Sequence, residues 1–296
     1  MMRRVLVTGA NKGIGLAIVR GILERYQDTY VLLGSRSLDR GQEALQTLSK
    51  SSPELTSRVT VLQIDVSSQE SINKAMHSVS EKFGTVPPPL YGIVNNAGIY
   101  EGATSDILET NLIGSYNVIE AFLPLLQPEG GRIVNVSSGA APSFVQTCSS
   151  ERKNFFKNPN CSWSQILEIV DEYKQIQSSG KSFEDAGLGS GPPYGFSKAL
   201  VNMMTMYYAQ KYPKLIVSAC TPGFIETDMT RNAFLKSGTT AAEMGMKTVE
   251  DGAVVPIKLL LEETHGSGHY FGSDGLRSPL HKYRSPGSAP YTGDDD

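Results

Sequence analysis

The chain has 296 residues and a formal net charge of -3, with 40% hydrophobic and 19% charged residues, an ordinary composition for a globular protein with a buried core. This charge balance gives no reason to expect nucleic-acid binding or attraction to an acidic membrane. The three cysteines (Cys148, Cys161 and Cys220) have neither metal-type nor CxxC spacing, so we expect reduced thiols in a cytoplasmic protein. The opening MMRRVLVTGA lacks a secretory signal pattern, and the apolar runs are short for a membrane span.

Short apolar runs alternate with stretches of helical periodicity along most of the chain. The early runs are near-continuous in Val, Leu and Ile, which is typical of strands buried on both faces. Alternation of strand and helix predicts an α/β fold, with a parallel sheet covered by helices on both sides. The predicted strands are residues 3–8, 29–35, 58–65, 90–96, 131–138, 215–222 and 267–273.

Two segments interrupt this alternation. Residues 140–193 form a long insertion, in which apolar residues at helical spacing predict an amphipathic helix: Trp163, Ile166, Leu167, Val170 and Tyr173. Residues 277–296 (RSPLHKYRSPGSAPYTGDDD) are rich in Pro, Gly and polar residues. We expect a loose polar tail there, with a structured lid as the alternative, following a single domain over residues 1–276.

A glycine cluster connects the first predicted strand to the first helix. The stretch TGANKGIG places Gly9, Gly13 and Gly15 where the backbone must turn sharply and approach a pyrophosphate closely. The N–H groups at the start of the helix would then bind the phosphates. The loop residues expected to contact the cofactor are Gly9, Asn11, Lys12, Gly13, Ile14 and Gly15. No Lys-Ser or Lys-Thr follows, which excludes a P-loop.

The second predicted strand distinguishes between the two nicotinamide cofactors. An NAD site usually has an acidic residue about 20 residues beyond the glycines, but Ser35 and then Arg36 occupy that region. Arg36, with Lys12 of the glycine loop, could pair with a 2′-phosphate, although either cation alone could be a solvated surface charge. The sequence therefore favours NADP(H).

Two stretches of the same predicted helix, YGFSK and YYAQK, place a tyrosine four residues before a lysine. Tyr194 follows a Gly-Pro-Pro turn, at the start of the helix, whereas Tyr207 lies about 220° round the helix and Lys211 precedes Tyr212-Pro213, where the helix must end. Tyr207 is therefore predicted to be a packing residue. Lys198 lies one turn after Tyr194 and could help to lower the pKa of its phenol, which is ordinarily about 10.

Taken together and in order, the motifs resemble those of the short-chain dehydrogenases/reductases of the compact type. The matching stretches are TGANKGIG, NNAG at 95–98, ETNLIGS with Asn111, NVSS at 135–138, YGFSK and the Pro222-Gly223 turn. The resemblance covers roughly residues 3–273, and the long insertion is similar to that of the carbonyl reductase and menthone/salutaridine reductase branch. It implies a Rossmann-type, doubly wound parallel sheet of about seven strands, with a helical insertion before the helix of the catalytic tyrosine.

The resemblance also implies roles for individual residues. Tyr194 would donate the proton, Ser138 rather than Ser137 would hold the substrate oxygen, and Lys198 would also bind the nicotinamide ribose. Asn111 would sit in a water-linked proton path behind Lys198. The remaining implied cofactor contacts are Asp65 and Val66 at the adenine, Asn95, Ala97 and Gly98 along the adenosine ribose, and Pro222, Gly223, Ile225 and Thr227 around the nicotinamide. This chemistry needs no metal.

These inferences predict an NADPH-dependent reductase of a small carbonyl compound, namely a hydrophobic ketone, aldehyde or quinone. Two alternatives remain open: an alcohol dehydrogenase that runs in the oxidative direction, and an NADPH-binding sensor without turnover. We expect the insertion and residues 224–246 to choose the substrate. The second region contains Phe224, Met229, Phe234, Leu235, Met244 and Met246, although core packing would explain these residues about as well. Because the insertion could cover the face through which such proteins often dimerise, we expect a monomer.

Overall fold

The computed structural model describes residues 2–231, 238–262 and 266–293, and in this part of the chain it contains a single parallel sheet of seven strands. The strands are β1 (Arg3–Val7), β2 (Thr29–Ser35), β3 (Val59–Gln63), β4 (Leu90–Asn95), β5 (Arg132–Val136), β6 (Ile216–Cys220) and β7 (His269–Phe271). Their order across the sheet is β3-β2-β1-β4-β5-β6-β7, and every paired neighbour is parallel. The predicted α/β fold and its strands are therefore confirmed.

Helices cover both faces of this sheet. The described helices are α1 (Gly13–Arg25), α2 (Leu38–Ser51), α3 (Gln69–Phe83), α4 (Thr104–Leu108), α5 (Gly114–Phe122), α6 (Ala140–Thr147), α7 (Ser150–Lys157), α8 (Trp163–Ser179), α9 (Pro193–Lys211) and α10 (Val249–Leu261). Short 3₁₀ turns occupy Pro53–Arg58 and Leu123–Leu125, and one π-helical turn, Glu109–Ile113, joins α4 to α5.

The apolar strands are buried on both faces because side chains alternate between two hydrophobic cores. In β1, Val5 and Val7 pack into the core that lies under α1, α2 and α10. Leu6, between them, packs into the core under α3, α5 and α9. All three side chains are fully buried, which explains why the strand lacks an alternation of polar and apolar residues.

The 140–193 insertion forms α6, α7 and α8 and packs onto α9. A capping box of Ser162 and Gln165 starts α8, and Gly180 ends it in the left-handed conformation. Tyr173 of α8 stacks on Phe196 of α9, with ring centroids 4.1 Å apart and an interplanar angle of 9°. The helix predicted from the apolar spacing is therefore present, and it covers the outer face of α9.

The first part of the 277–296 segment packs against the domain, whereas residues 285–290 are exposed, so the expected loose polar tail stays a prediction. Ser278 is 5% exposed, and Arg284 forms an ion pair with Asp274 in which the Arg284 side chain is 7% exposed. The Pro, Gly and polar composition suggested a solvated chain, but an ion pair between residues ten apart holds the part up to Arg284 in place. The domain boundary at residue 276 stays a prediction.

The strand order places a crevice at the carboxyl edge of the sheet. The chain passes from β1 outward to β2 and β3 on one side, and returns to β4 on the other side of β1. Ligands of such sheets bind beyond the carboxyl ends of the strands, where the order reverses. Among the described residues, no helix combines the length and apolar character needed to cross a bilayer.

Candidate active site

The glycine loop folds tightly between β1 and α1 at this crevice. Gly9 and Gly13 have φ values of 61° and 56°, in the region that favours glycine. A methyl group added at Gly9 would lie 2.9 Å from the Ala97 Cα, and one added at Gly15 would lie 2.4 Å from the Gly9 oxygen. Each would force a main-chain displacement, so these glycines permit the close packing of the loop.

The start of α1 fits a dinucleotide phosphate. The N-cap residue, Lys12, makes no side-chain cap hydrogen bond, and the first turn carries no acidic residue. A methyl group added at Gly13 would lie 3.8 Å from Thr227 Cγ2, an ordinary contact distance, so there is open space next to Gly13. An uncapped helix start with open space before it suits an anion, because its N–H groups are free to donate and the helix dipole favours negative charge.

The NNAG stretch is tied to the glycine loop by Asn96, which the sequence analysis did not single out. The Asn96 side-chain amide donates to the carbonyl oxygens of Thr8 (3.0 Å) and Gly9 (3.1 Å), and the N–H groups of Asn96 and Ala97 both donate to Thr8 Oγ1 at 3.1 Å. Ala97 and Gly98 are half-buried at the crevice. The role of Asn96 could have been inferred from the expected Rossmann-type strand order, because that order pairs β1 with β4 and places the loops that follow them side by side.

Asn95 has its side chain in the interior of the domain, and its predicted contact with the ribose stays a prediction. It is 3% exposed, and its side chain donates to Asn135 Oδ1 at 2.9 Å; Asn135 in turn donates to Thr205 Oγ1 at 2.9 Å. This buried amide chain joins β4, β5 and α9. The side chain of Asn95 is therefore part of the interior and connects β4 to β5.

The two cations predicted to bind a 2′-phosphate lie at the predicted positions, but one of them is paired with a carboxylate. Arg36 is exposed just after β2. Lys12 donates to Asp228 Oδ2 at 2.8 Å, and both side chains are more than half exposed. A 2′-phosphate at Lys12 would have to compete with the Asp228 carboxylate, which the sequence analysis did not foresee.

Asp65, after β3, accepts from the N–H (3.0 Å) and hydroxyl (2.7 Å) of Ser67, and Val66 beside it is buried.

Asn111 is fully buried in the π-helical turn and links three parts of the site. Its Oδ1 accepts from the Ile99 N–H (2.8 Å), and its Nδ2 donates to the Ile99 oxygen (3.0 Å) and to Ser197 Oγ (3.0 Å). Ser197 Oγ donates to the Tyr194 carbonyl oxygen at 2.8 Å. The side chain thus fixes the loop after NNAG to the first turn of α9, whereas its predicted place in a water-linked proton path stays a prediction.

Tyr194 and Lys198 meet at the start of α9. The Lys198 Nζ lies 5.8 Å from the centroid of the Tyr194 ring and donates to the Val136 oxygen at 2.8 Å. A methyl group at Gly98 would come within 3.4 Å of this Nζ, so the glycine of NNAG leaves room for the ammonium group. Burial lowers the pKa of Lys198 to about 8.

The pKa of Tyr194 departs from the expected direction. Burial raises it above its ordinary value, a hydrogen bond with the Ser138 side chain partly offsets this increase, and the Tyr100 phenol adds to it. The sequence argument relied on Lys198 together with the charge of an oxidised nicotinamide to lower this pKa. In the chain by itself desolvation of the phenolate is the largest effect, so Tyr194 is protonated at neutral pH.

The two consecutive serines after β5 point in different directions. Ser137 is 2% exposed, and its Oγ donates to the main-chain oxygen of Lys198 at 3.2 Å. Ser138 lies beside the Tyr194 hydroxyl and lines a cavity of ≈ 210 Å³. Tyr270, whose hydroxyl donates to the Ser138 main-chain oxygen at 3.2 Å, supports this turn. The structure therefore brings Ser138 to Tyr194 and directs Ser137 into the interior.

The segment after β6 forms another wall. Gly223 has a φ of 98°, and Ile225 is buried against α10, where a methyl group at Gly252 would lie 2.9 Å from it. Phe224 and Met229 are 44% and 40% exposed. Met244 and Met246 are half-buried, whereas Phe234 and Leu235 lie outside the described residues.

The sequence analysis missed two aromatic residues at the site. Tyr100 packs edge-on against the Tyr194 ring, with centroids 4.9 Å apart, and is 51% exposed. Tyr283, from the segment expected to be loose, lines the ≈ 210 Å³ cavity beside Gly139 and Phe224. The position of Tyr100 directly after NNAGI was a usable signal, but nothing local to Tyr283 indicated its contact.

Comparisons with known proteins give the family and the fold of the chain. A family model described as short chain dehydrogenase matches residues 3–150. The chain is 30% identical over 285 residues to carbonyl reductase [NADPH] 3 of Mus musculus, covering 89% of this chain and 94% of that protein. Among solved structures, menthone neomenthol reductase from Mentha piperita is 26% identical with a TM-score of 0.74, over 92% of this chain and 99% of that one. Salutaridine reductase from Papaver somniferum is 25% identical with a TM-score of 0.74, over 90% and 99%.

Proposed function

The chain belongs to the short-chain dehydrogenase family and is an oxidoreductase related to NADPH carbonyl reductases, and from this premise we propose that it reduces a carbonyl compound with NADPH, with Tyr194 as the proton donor. The observation that carries the proposal is the meeting of a protonated phenol, a buried ammonium group and a serine hydroxyl, of which the serine lines the ≈ 210 Å³ cavity. Such a combination suits transfer of a proton to an oxygen that gains negative charge.

The cofactor of this proposal is NADP(H), which when bound supplies the hydride to the carbonyl carbon. Support comes from the open, uncapped start of α1, from the exposed Arg36 beyond β2 and from Ser35 standing where a carboxylate would favour NAD. Arg36→Ala should raise KM for NADPH about 10- to 100-fold, because a charge-assisted hydrogen bond contributes about 1.5–3 kcal/mol. Arg25→Ala, at the other end of α1, is the matched control, and an equal loss with NADH would contradict the assignment.

In the proposed reduction the chain's own residues handle the oxygen and its proton. Ser138 Oγ–H and Tyr194 O–H both donate to the carbonyl oxygen, and Tyr194 gives up its proton as the oxygen becomes negatively charged. Burial raises the pKa of Tyr194, which keeps the phenol protonated and ready to donate at neutral pH. The buried Lys198 ammonium, near the ring, stabilises the phenolate that remains.

The proposed substrates are hydrophobic ketones, aldehydes or quinones. The wall of the cavity includes Pro142, Phe224, Tyr270 and Tyr283, while Ser138 and Thr221 supply hydroxyl groups. A mostly apolar cavity with a few polar groups near the reacting atom fits such compounds.

We further propose that the protein is a cytoplasmic monomer. Trp163, which starts α8, stacks on Tyr116 of α5 with ring centroids 3.7 Å apart, so the insertion covers part of the surface formed by α5 and α9. Buried, reduced thiols at Cys148, Cys161 and Cys220 fit a reducing compartment. Light scattering should give the mass of one chain, and the mass of a dimer would contradict the proposed monomer.

The function is tested by NADPH consumption with a panel of ketones, aldehydes and quinones, alongside a fluorescence titration of NADPH binding. The proposal predicts binding and turnover of at least one aromatic or aliphatic carbonyl compound. Binding without any turnover would favour an NADPH sensor. Faster turnover of alcohols with NADP⁺ at neutral pH than of the matching carbonyls with NADPH would favour a dehydrogenase that works in the oxidative direction.

A further inference from the structure

The segment that follows β7 is held by a set of buried polar contacts. Arg284 forms an ion pair with Asp274, and the two side chains are only 7% and 18% exposed. Arg284 Nε donates to Ser278 Oγ at 3.0 Å, and Asp274 also accepts from the N–H groups of Leu276 (3.2 Å) and Gly287 (3.0 Å). We call Asp274 and Arg284 the C-terminal clamp, because together they connect both ends of this segment.

The C-terminal clamp fixes the neighbouring Tyr283 against the turn that carries Ser138. A methyl group added at Gly139 would lie 2.9 Å from Tyr283 Cε2 and 3.4 Å from Cδ2, so the ring touches the main chain there. The Tyr283 N–H donates to Gln146 Oε1 of α6 at 3.3 Å. The other side of the ring is accessible, since Tyr283 is 50% exposed.

The accessible side of this ring belongs to the wall of the cavity next to Ser138. Phe224 and Pro142 also line it, and Pro286 extends the wall contributed by the C-terminal segment. A flat aromatic ring among apolar neighbours gains most from a planar apolar ligand, because ring pairs contribute about 0.5–1.5 kcal/mol beyond the area they bury. Among the described residues that line the cavity, Arg284 is the one charged residue, and it is paired with Asp274, so the wall does not favour an acidic substrate.

We propose that the C-terminal segment is the substrate-selecting wall of this enzyme, in which Tyr283 contacts the substrate and the C-terminal clamp positions Tyr283. The selected compounds carry an aromatic ring next to the carbonyl group that Ser138 holds. The proposal rests on the reductase function proposed above, and it adds to that function the class of substrate and the residues that choose it.

The test compares two aldehydes that share a reactive group, benzaldehyde and propanal, with the full-length protein and NADPH. In Tyr283→Ala, the ratio of kcat/KM for benzaldehyde to that for propanal should fall at least about tenfold, mainly through a higher KM for benzaldehyde. Tyr283→Phe keeps the ring and should stay within about twofold of the wild-type ratio. Asp274→Asn loosens the C-terminal clamp and should lower the ratio in the same direction as Tyr283→Ala.

The matched control is Tyr291→Ala, which removes another ring of the same segment, one that packs on Arg277 and His281. Thermal melting checks that each variant is folded, and Tyr283→Leu replaces Tyr283→Ala if the latter unfolds. An unchanged ratio in Tyr283→Ala, or an equal fall in Tyr291→Ala, overturns the inference. So does a wild-type enzyme that reduces propanal but not benzaldehyde. A wild-type protein that consumes no NADPH on the whole panel overturns the reductase function and this inference together.

Discussion

Helix α9 contains two tyrosine–lysine pairs with the same spacing and nearly the same internal geometry. The ammonium of Lys198 lies 5.8 Å from the Tyr194 ring centroid, and that of Lys211 lies 5.2 Å from the Tyr207 centroid. Their surroundings differ. Lys198 is 5% exposed, and burial lowers its pKa to about 8. Lys211 has a raised pKa, because the Tyr207 phenol and the Glu120 carboxylate outweigh the opposing effect of partial burial.

This difference shows that the neighbours of such a pair decide what it can do. At Tyr207, Glu120 lies 3.6 Å from Lys211 and also accepts from the Tyr208 hydroxyl at 2.7 Å, so a carboxylate already neutralises the cation. At Tyr194, the Lys198 ammonium donates to a neutral carbonyl group, and its charge is left to stabilise a phenolate. The first pair is also at the carboxyl edge of the sheet, whereas the second packs under α8 against Trp163.

The largest expected effect comes from removing each cation in turn. Lys198→Met should lower kcat/KM by about 10²- to 10⁴-fold, because the phenolate of Tyr194 loses its buried counter-charge. Lys211→Met should change kcat/KM less than about twofold. Steady-state kinetics on the best substrate of the panel measures both, and similar losses in the two variants would contradict the distinction between the pairs.

The two serines after β5 give a comparison of the same kind within the site. Ser138→Ala should lower kcat about 10²- to 10³-fold, because the carbonyl oxygen loses a hydrogen-bond donor in the transition state. Ser137→Ala removes the bond to the Lys198 main chain and should instead lower the free energy of unfolding by about 1 kcal/mol. Kinetics and urea denaturation together separate these outcomes. A larger loss of kcat in Ser137→Ala than in Ser138→Ala would mean that Ser137, not Ser138, donates to the carbonyl oxygen.

The buried charge of Lys198 should also appear in the dependence of stability on pH. Its pKa of about 8 lies below the ordinary 10.5, so between these values the unfolded chain binds more protons and this group makes stability rise with pH. At pH 7 the cost of burying the charged group is fully present, so Lys198→Met should increase the free energy of unfolding by up to about 3 kcal/mol. The loss of the hydrogen bond to the Val136 oxygen reduces this gain. Lys211→Met should give no such gain. Urea denaturation at pH 7 and 10 measures the difference, and a destabilised Lys198→Met variant at pH 7 would contradict it.

The smallest effect is expected from Glu120→Gln, which removes the carboxylate beside the second pair. The Gln oxygen can still accept from Tyr208, so the loss of stability should be about 1 kcal/mol, and kcat/KM should stay within about twofold. In a Tyr194→Phe background the same change should restore no activity, because Tyr207 lies outside the crevice. Recovery of turnover in that double variant would mean that the Glu120 carboxylate alone had kept Tyr207 and Lys211 inactive.

Much of this arrangement could be predicted from short stretches of sequence, because each depends on local chemistry. TGANKGIG is a strand-to-helix turn whose positive φ values require glycine, and the Gly-Pro-Pro turn sets Tyr194 at the start of α9. Contacts between distant residues could not be predicted in this way. Lys12 and Asp228 are 216 residues apart, and the contact of the Tyr283 ring with Gly139 joins residues that are also distant in the sequence. Similarly, Asn95 belongs to a familiar motif, but its burial depends on Asn135 and Thr205 on other elements.

The assignment of Tyr194 rather than Tyr207 as the proton donor is tested by the rate of hydride transfer in a single turnover, measured by stopped-flow absorbance of NADPH in Tyr194→Phe and Tyr207→Phe. Each change removes one hydroxyl and leaves its ring in place. We expect a rate lowered at least about 10²-fold in Tyr194→Phe and within about twofold of wild type in Tyr207→Phe. A normal rate in Tyr194→Phe, or a loss confined to Tyr207→Phe, would contradict it.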